Sequence, residues 1–474
     1  MLFLQLLNKE IRINCLNIEL DRNNTDVKSA LHGKTSEICR RFARRNTVEL
    51  PKKPLQCVFC CLLKYGIVLT FAAFLILRMN TTALEIIFWT GFFVVFYAYL
   101  GYGIVLWGLV RFKRLFVEAK PLPVVPLPEV TFVVCAYNEE DWIEQKIANS
   151  LALDYPPGRI RFCFVTDGSD DRTPDLVRDY PYPPGTQWQL LHQPERRGKI
   201  AAFQRAMQQV ATPVVVSTDA NTLVNREAVR RIVGHFADPK VGAVAGEKRI
   251  STGHKADAGS AGEGIYWQYE SLLKKWDAEL WSVVGAAGEL FAFRSEVYEH
   301  VPTDTIVEDF YLTMRIAQKG YRVQYEPEAY AVESSSASVA EELKRKVRIA
   351  AGGLQAVVRL ASLLNIFRYG VLSFQYISHR VLRWTLAPLF LPVLFIVNIL
   401  LAMLGSRFYQ LLLLIQILFY AAAVAGYLLE TRKMKVKAFF VPYYFCVMNY
   451  SMYAGFVRLV RGRQSVLWER AKRA

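Results

Sequence analysis

Long uncharged apolar runs stand at both ends of this chain, and shorter apolar runs fill its middle. The long runs cover residues 86–110, 384–406, 408–429 and 438–457, and a helix needs roughly 20 apolar residues to cross a hydrocarbon core. A weaker run at residues 55–77 is interrupted by Lys64, so it fits a membrane helix or an interfacial segment equally well. Pro442, Asn449 and Ser451 make the last long run the least lipid-like, which also fits a re-entrant segment. The pattern predicts transmembrane helices on both sides of a central domain.

The middle of the chain alternates short β-branched runs with amphipathic patterns. Strands are predicted at residues 130–136, 161–166, 213–218 and 241–245, with helical patterns at 142–151, from 174 and at 200–210. Strands that alternate with helices favour a mostly parallel sheet with helices on both faces. Ligands of such sheets bind at the carboxyl ends of the strands, so polar residues that follow the strands are candidate site residues.

Together these patterns divide the chain into six segments. The first 54 residues are polar, mixed in charge and without periodic signal, so we expect a disordered region or an extension outside the fold. The predicted segments are that extension at 1–54, an N-terminal transmembrane region of one or two helices at 55–110, an α/β domain at 121–353, interfacial helices at 354–383, a C-terminal transmembrane region at 384–457 and a basic tail at 458–474.

The chain carries a formal net charge of +16 although 53% of its residues are hydrophobic. Basic residues flank the apolar runs: Arg111 and Lys113 follow the first strong run, and Arg380 and Arg383 precede the next. This placement assigns the charge to membrane lipids and orientation rather than to nucleic acid. The positive-inside rule then predicts a multi-pass membrane protein with a cytoplasmic α/β domain, in the inner membrane if the cell is bacterial. The basic tail at 458–474 fits this orientation only if the last apolar run does not cross.

Asp219 and Asn221 follow the strand predicted at residues 213–218. They lie two residues apart, so their side chains point the same way. Their oxygens suit Mg2+ or Mn2+, which would bridge to a diphosphate. Because Asn221 supplies a neutral amide oxygen in place of a second carboxylate, we expect a weaker or more water-filled metal site. A simple turn is the alternative, since Asp and Asn both favour turns.

Two further motifs are suited to a nucleotide. Asp167 follows the strand predicted at residues 161–166, where its carboxylate accepts hydrogen bonds from a base or a ribose, or caps the next helix. Arg196, Arg197 and Lys199 precede a helical pattern and bring three cations and a helix N-terminus to the same edge. A solvated basic loop is the alternative for this second motif.

An acidic pair and an arginine pair follow later in the chain. Glu308 and Asp309 open an amphipathic helix, where acidic residues ordinarily match the helix dipole; here Asp309 is our candidate general base, with Glu308 as its orienting neighbour. Arg345 and Arg348 lie three residues apart and therefore on one helix face. They are suited to a departing diphosphate, or to anionic lipid on a membrane-facing helix.

Taken in order, seven motifs resemble those of the membrane-bound family 2 glycosyltransferases, the group that includes cellulose, hyaluronan and poly-N-acetylglucosamine synthases. The motifs are Ala136–Glu140, Thr166–Ser169, Arg197–Lys199, Asp219–Asn221, Gly285–Arg294, Glu308–Asp309 and Arg345–Ile349. The resemblance runs from about residue 130 to residue 353. It is specific for the superfamily and much less so for the sugar.

The resemblance implies an α/β GT-A domain with flanking transmembrane helices and an inverting transfer from a nucleotide-activated sugar. It places Tyr137, Asn138 and Glu139 at the nucleotide, Asp167 at the base, and Lys199, Arg345 and Arg348 with the donor; Asp219 and Asn221 hold the diphosphate and the metal, and Gly285 and Gly288 line the acceptor site. Asp309 is the expected base. The implied partners are a nucleotide sugar, with a UDP-sugar preferred, and a lipid-linked or polysaccharide acceptor.

The sequence departs from the family pattern where the product is decided. Ile349 stands where processive members carry a tryptophan that stacks on an acceptor sugar, so a stack worth about 1 kcal/mol is missing. We therefore keep three interpretations: synthesis of a polysaccharide or glycolipid, addition of a single sugar to a polyprenyl phosphate or other lipid-linked acceptor, and an inactive GT-A scaffold or nucleotide-sugar sensor. Sizing the product separates the first two, and the carboxylates Asp219 and Asp309 argue against the third.

Overall fold

The computed structural model describes residues 81–117, 126–251, 258–334, 339–432, 436–462 and 464. The predicted extension at 1–54, the weaker apolar run at 55–77 and most of the basic tail lie outside the described residues. The described α-helices are α1 (Thr81–Phe96), α2 (Tyr102–Arg114), α3 (Ile143–Leu151), α4 (Thr173–Arg178), α5 (Lys199–Met207), α6 (Ala228–Gly234), α7 (Ala258–Leu280), α8 (Glu308–Gln318), α9 (Val339–Arg359), α10 (Ile366–Tyr369), α11 (Val371–Tyr376), α12 (Leu382–Trp384), α13 (Leu386–Met403), α14 (Arg407–Thr431) and α15 (Lys437–Val460).

A sheet of eight described strands forms the centre of the molecule. The strands are β1 (Val130–Ala136), β2 (Ile160–Asp167), β3 (Gln187–Gln193), β4 (Val214–Asp219), β5 (Thr222–Val224), β6 (Val241–Ser251), β7 (Leu290–Arg294) and β8 (Arg322–Ser334), in the order β3-β2-β1-β4-β7-β6-β8-β5. Strands β3, β2, β1 and β4 are parallel, as predicted. Strand β7 runs antiparallel to both β4 and β6, and β5 runs antiparallel to β8.

The prediction of a mostly parallel sheet is therefore wrong for the second half, where the sheet is mixed. The reason lies in where the chain enters β7. Leu290, the first residue of β7, pairs with Thr218 near the end of β4, and Arg294 pairs with Val214 at its start. The chain thus enters β7 from the edge where β4 ends, so it must run back along β4.

The sheet is buried on both faces, which explains the continuous apolar runs that predicted its first strands. All seven residues of β1 are buried. Val133 and Cys135 pack in the core beneath α5 and α8, whereas Phe132 and Val134 pack in the opposite core beneath α3 and α6. Alternate side chains therefore serve two separate cores, and truncation of Phe132 to alanine should cost about 3–5 kcal/mol of folding free energy.

Three of the described helical segments are long and apolar enough to cross a membrane. They are residues Thr81–Arg114, which joins α1 to α2 through a π-helical turn, Leu386–Met403 and Arg407–Glu430. The first and second pack closely, since a Cβ at Gly91 of α1 would lie 2.8 Å from the Phe390 ring of α13. These segments match three of the four long apolar runs.

The fourth run forms α15, which lies against the helix that carries the predicted arginine pair. A Cβ at Gly455 would lie 2.7 Å from Cβ of Ala350 and 2.8 Å from the backbone nitrogen of Ala351, both in α9. Arg458, one turn further, reaches the wall of the main cavity described below. The end of α15 therefore lies beside the α/β domain; whether α15 crosses a membrane stays a prediction. Helix α9 is also continuous through the boundary predicted between residues 353 and 354.

A buried ionic cluster joins α7 to the helices that border the membrane segments. His379 lies in a π-helical turn, with Nδ1 2.6 Å from Oδ2 of Asp277 and Nε2 3.3 Å from Oε2 of Glu270. Arg383 forms an ion pair with Glu270 and donates a hydrogen bond to the backbone oxygen of Ala98 over 2.8 Å. These contacts fix the α/β domain to the first candidate membrane segment.

Candidate active site

A cavity of about 540 Å³ opens at the carboxyl ends of β1 and β4, a size typical of small-molecule sites. The cavity is where the sequence analysis expected a ligand, at the edge where the parallel strands end. The predicted site residues on its wall are Glu139, Lys199, Asp219, Asn221, Gly288, Glu308, Asp309, Arg345 and Arg348. The structure thus brings together most of the residues that the sequence singled out.

Lys199 stands at the centre of this group. Its Nζ lies 2.7 Å from Oδ1 of Asp219 and 2.9 Å from Oε1 of Glu308. Burial alone would lower the pKa of Lys199, but the carboxylates of Asp219, Glu308 and Asp309 outweigh it and raise that pKa. The ammonium therefore stays charged and holds the strand-end acid next to the acidic pair of α8.

The acidic pair at the start of α8 is split into two different groups. Burial raises the pKa of Asp309 to about 7, and the neighbouring Glu308 carboxylate adds to the rise. Burial also acts on Glu308, but Lys199 and, more weakly, Arg348 overcome it and lower the pKa of Glu308. Two adjacent carboxyls with separated pKa values mark an acid–base site, and Asp309 is the one suited to exchange a proton near neutral pH.

The two glycines predicted at the acceptor site have different surroundings. Gly288 lies against the acidic pair, since a Cβ there would be 3.0 Å from Nζ of Lys199 and 3.2 Å from Oδ2 of Asp309. Gly285 is absent from the cavity wall. Its φ of +85° and the 2.1 Å that would separate a Cβ from the Phe310 ring require glycine for packing and backbone conformation. Only Gly288 of the two is therefore placed to meet an acceptor.

Asp167 is fully buried behind the cavity wall. Its Oδ2 accepts hydrogen bonds from the backbone nitrogens of Arg197, over 2.9 Å, and Gly198, over 2.6 Å, and its Oδ1 accepts from Arg205 over 3.1 Å. The carboxylate thus fixes the loop that leads into α5 and Lys199. Direct contact between Asp167 and a nucleotide base stays a prediction, while the observed contacts give it a role in shaping the loop.

Of the residues that follow β1, one lies on the cavity wall and two hold neighbouring loops in place. Glu139 is buried on the cavity wall. Asn138 has a φ of 52° and exchanges hydrogen bonds with Asp170, with Nδ2 2.5 Å from Oδ1 of Asp170. The ring of Tyr137 carries the Arg196 guanidinium 3.7 Å above its centre. In this arrangement Tyr137 and Asn138 hold two neighbouring loops together and Glu139 faces the cavity.

The turn after β4 has the chemistry of a divalent-metal site. Oδ1 of Asn221 is buried and has no hydrogen-bond partner among the described residues, which leaves a free oxygen next to Asp219. Within the described ranges no group of three His, Cys, Asp or Glu side chains could hold a metal. Asp219 and Asn221 supply two oxygen ligands, so a hard cation such as Mg2+ or Mn2+ held there would take its remaining oxygens from a ligand or from water.

The predicted arginine pair lies on one face of α9 but in two different environments. Arg345 belongs to a buried ionic cluster, with Glu342 at 3.0 Å, Glu333 at 3.5 Å and Glu289 at 3.8 Å. Lys248 completes this cluster through ion pairs with Glu289 and Glu333. Arg348 lines the cavity and makes no hydrogen bond or ion pair with any described residue. Arg348 is therefore the member of the pair that is available to a diphosphate.

Lys146 is a site-related residue that the sequence analysis missed. It is fully buried beneath the turn of Asp219 and Asn221, and its Nζ donates to Oγ1 of Thr218 over 2.9 Å and to the backbone oxygen of Thr222 over 2.7 Å. Burial lowers the pKa of Lys146 to about 7. Its place on the apolar face of α3, beside Ile143 and Ile147, was the signal that a lysine there serves a buried partner.

Residues 131–301 match the family model described as glycosyl transferase family 2. The poly-beta-1,6-N-acetyl-D-glucosamine synthase of Staphylococcus aureus (strain MSSA476) is 29% identical over 265 residues, which cover 54% of this chain and 62% of the relative. The synthase of Staphylococcus epidermidis is 24% identical over 237 residues, which cover 48% of this chain and 56% of the relative. The matched part of the chain thus spans less than two thirds of these curated relatives.

One solved structure covers more of the chain. The mannosyltransferase of Pyrobaculum calidifontis, solved in complex with GDP-Man and Mn2+, is 25% identical and superposes with a TM-score of 0.61 over 80% of this chain and 99% of its own. Together with the family match, this likeness confirms the predicted GT-A-like fold and the resemblance on which it was based.

Proposed function

We propose that this chain, whose residues 131–301 form a family 2 glycosyltransferase domain, is an inverting enzyme at a membrane. It moves a sugar from a nucleotide-sugar donor to a growing polysaccharide or to a glycolipid. The staphylococcal relatives are named as synthases of a polysaccharide, which supports the polymer. The three apolar helical segments support the membrane, and the basic residues that flank them support a cytoplasmic catalytic domain.

The observation that carries this proposal is the arrangement of Lys199, Glu308 and Asp309 around Gly288. Lys199 keeps Glu308 ionised, and burial holds the pKa of Asp309 at about 7. Gly288 and Asp309 both line the cavity, and Gly288 adds no side chain to the space beside the Asp309 carboxylate. A hydroxyl that enters this space can pass its proton to Asp309 as it attacks the anomeric carbon of the donor. The sugar–diphosphate bond then breaks on the opposite side, and the configuration of the sugar inverts.

In this proposal the nucleotide-sugar donor is bound by residues at the strand ends and by Arg348. Asp219 and Asn221 would hold Mg2+ or Mn2+, and the Mn2+ bound by the archaeal mannosyltransferase supports this assignment. The bound ion would neutralise charge on the diphosphate as it leaves. Lys199 orients Asp219, and the Arg348 guanidinium binds the departing phosphate oxygens. Glu139 lies on the wall beside the strand ends, where it can accept hydrogen bonds from the nucleotide.

The proposal also concerns the chemical identity of the donor and of the acceptor. We favour a UDP-sugar and a saccharide acceptor that is bound to lipid or to a growing chain. The solved relative binds GDP-Man, whereas the staphylococcal relatives are named for N-acetylglucosamine, so both nucleotides belong in a test. Single addition to a polyprenyl phosphate is the close alternative, because Ile349 occupies a position that carries a tryptophan in processive members.

A donor panel tests the proposal directly. Full-length protein in detergent, with Mn2+ or Mg2+, is incubated with UDP- and GDP-sugars, and release of the nucleoside diphosphate and the size of the product are measured. We expect release from one donor class and its loss in Asp309→Asn. A ladder of long products supports polymer synthesis, and a product one sugar longer supports single addition. No release from any donor by a protein that binds the nucleotide would favour the inactive scaffold.

A further inference from the structure

One aromatic side chain of the cavity wall, Trp384, comes from outside the seven motifs named above. Trp384 is the last residue of α12, and it lines the same cavity as Asp309 and Ile349. We propose that Trp384 supplies the surface on which the terminal sugar ring of the acceptor stacks. This inference rests on the proposed function and names the residue that recognises its acceptor.

The backbone presents Trp384 at a break between two helices. Thr385 has a φ of −123° and a ψ of −81°, so α12 ends at Trp384 and α13 starts afresh at Leu386. The hydroxyl of Thr385 donates to the backbone oxygen of Val381 and helps to hold this break. The half-buried Trp384 ring therefore stands at the junction between the cavity and a candidate membrane span.

The ring fills a space that α9 leaves open. A Cβ at Gly353 would lie 2.8 Å from Cε3 and 2.9 Å from Cζ3 of Trp384. Gly353 lies four residues after Ile349, so both residues are on one face of α9. An indole from α12 thus lies against the same face of α9 that carries Ile349.

The contacts of Trp384 place it next to the reacting groups. Its ring packs edge-to-face on Phe310 with 5.1 Å between ring centres, and the backbone nitrogen of Phe310 donates to Oδ1 of Asp309 over 2.8 Å. On another side, the Arg380 guanidinium lies 5.8 Å from the centre of the Trp384 ring. The indole is thus bordered by Phe310, the residue next to Asp309, on one side and by the Arg380 guanidinium on the other.

A pyranose ring matches this surface. Its C–H face is apolar and packs on an aromatic ring, while its hydroxyls project from the rim toward polar groups. A sugar stacked on Trp384 would have one face of its ring shielded from water. Its hydroxyls would remain in the part of the cavity that contains Asp309 and Arg380. A bare lipid phosphate has no such ring and would gain nothing from the stack.

Kinetics of Trp384 variants test the inference. Full-length protein in detergent is assayed with UDP-N-acetylglucosamine and GDP-mannose as donors, and with a β-1,6-linked N-acetylglucosamine tetrasaccharide and a polyprenyl phosphate as acceptors. We expect Trp384→Leu to raise the KM for the tetrasaccharide about fivefold to tenfold, the worth of one aromatic stack. Trp384→Phe keeps an aromatic ring and should stay within about threefold of the wild type. The donor KM should not change in either variant.

The controls separate stacking from a merely structural role. Trp281→Leu removes an indole that packs on Arg322 away from the cavity and should leave every constant unchanged. An unchanged tetrasaccharide KM in Trp384→Leu overturns the inference, as does an equal loss in donor KM and kcat, which would mean that Trp384 only supports Phe310. Transfer to polyprenyl phosphate alone also overturns it. A wild type that is inactive with both donors and both acceptors would instead count against the proposed function.

Discussion

Nζ of Lys199 lies 2.7 Å from Oδ1 of Asp219, so an ammonium occupies one side of the carboxylate that we assign to the metal. The same ammonium lies 2.9 Å from Glu308, the neighbour of the proposed base. One side chain therefore connects the donor half of the cavity to the acceptor half. A change of charge at either half therefore alters the electrostatic field at the other.

The pH dependence of transfer should report Asp309. A general base works only when it has lost its proton, and burial together with Glu308 holds the pKa of Asp309 at about 7. We expect kcat/KM to fall about tenfold per pH unit below that value. Asp309→Asn should lower kcat by about 10²–10⁴-fold. Asp175→Asn, which removes an exposed carboxylate that pairs with Arg178, is the matched control. If kcat/KM still falls at acid pH in Asp309→Asn, the general base is another residue. This fall at acid pH is called the acid limb of the profile.

Removing the Lys199 charge should move that acid limb. The Lys199 ammonium lowers the pKa of Asp309, so Lys199→Gln should raise it and shift the limb to higher pH. Lys319→Gln provides the control, because Lys319 pairs with Glu299 outside the cavity. The pH profiles of the three proteins are compared with saturating metal. A limb that stays in place, or moves to lower pH, would contradict the electrostatic role of Lys199.

Metal affinity should respond to Asn221. Its Oδ1 is buried without a partner among the described residues, and Asn221→Asp would replace this neutral oxygen by a charged one. More negative ligand charge strengthens the binding of hard cations, so we expect the dissociation constant for Mn2+ to fall about tenfold. Mn2+ binding is followed by the spin-resonance signal of the free ion, without substrate. Asp219→Asn should weaken Mn2+ binding in the same assay. If Asn221→Asp leaves the affinity unchanged, Asn221 is not a metal ligand.

Lys146 should make stability depend on pH. Burial lowers the pKa of Lys146 from its usual 10.5 to about 7, so between these values the unfolded chain binds a proton that the folded protein has lost. The free energy of unfolding then rises with pH from about 7 to about 10.5, and below about 7, where both states bind the proton, this group no longer changes it. Lys146→Met removes the titrating group, so its melting temperature in detergent should rise less from pH 7 to pH 10 than that of the wild type. Equal slopes in the two proteins would contradict a lowered pKa.

Strand positions were predicted for β1, β2, β4 and the start of β6, and were missed for the other described strands. Strand β1 has the bounds that its apolar run predicted. Strand β3, Gln187–Gln193, was missed because it lies at the sheet edge, where polar and apolar residues alternate and the side chains stay partly exposed. Strand β7 is a buried run of five residues that follows a glycine-rich segment, so nothing local shows that it runs antiparallel.

The site could be predicted as far as local rules apply. Asp219 was predicted because it follows a strand, and Asp309 because it begins a helix. Both residues line one cavity. Helical spacing placed Arg345 and Arg348 on one face but could not show that Glu289 and Glu333, distant in sequence, neutralise Arg345. Trp384 was not predicted as a site residue because it begins an apolar run that was assigned to a transmembrane helix. Contacts between distant segments decide such cases, and no local pattern contains them.

The composite wall of the cavity connects it to a candidate membrane span. The family model ends at residue 301, whereas Asp309, Arg348 and Trp384 come from segments beyond it. The cavity wall is therefore assembled from the matched region and from later helices, and α12, which carries Trp384, leads directly into the candidate membrane span Leu386–Met403. A change in how that span packs would therefore reach the cavity through Trp384.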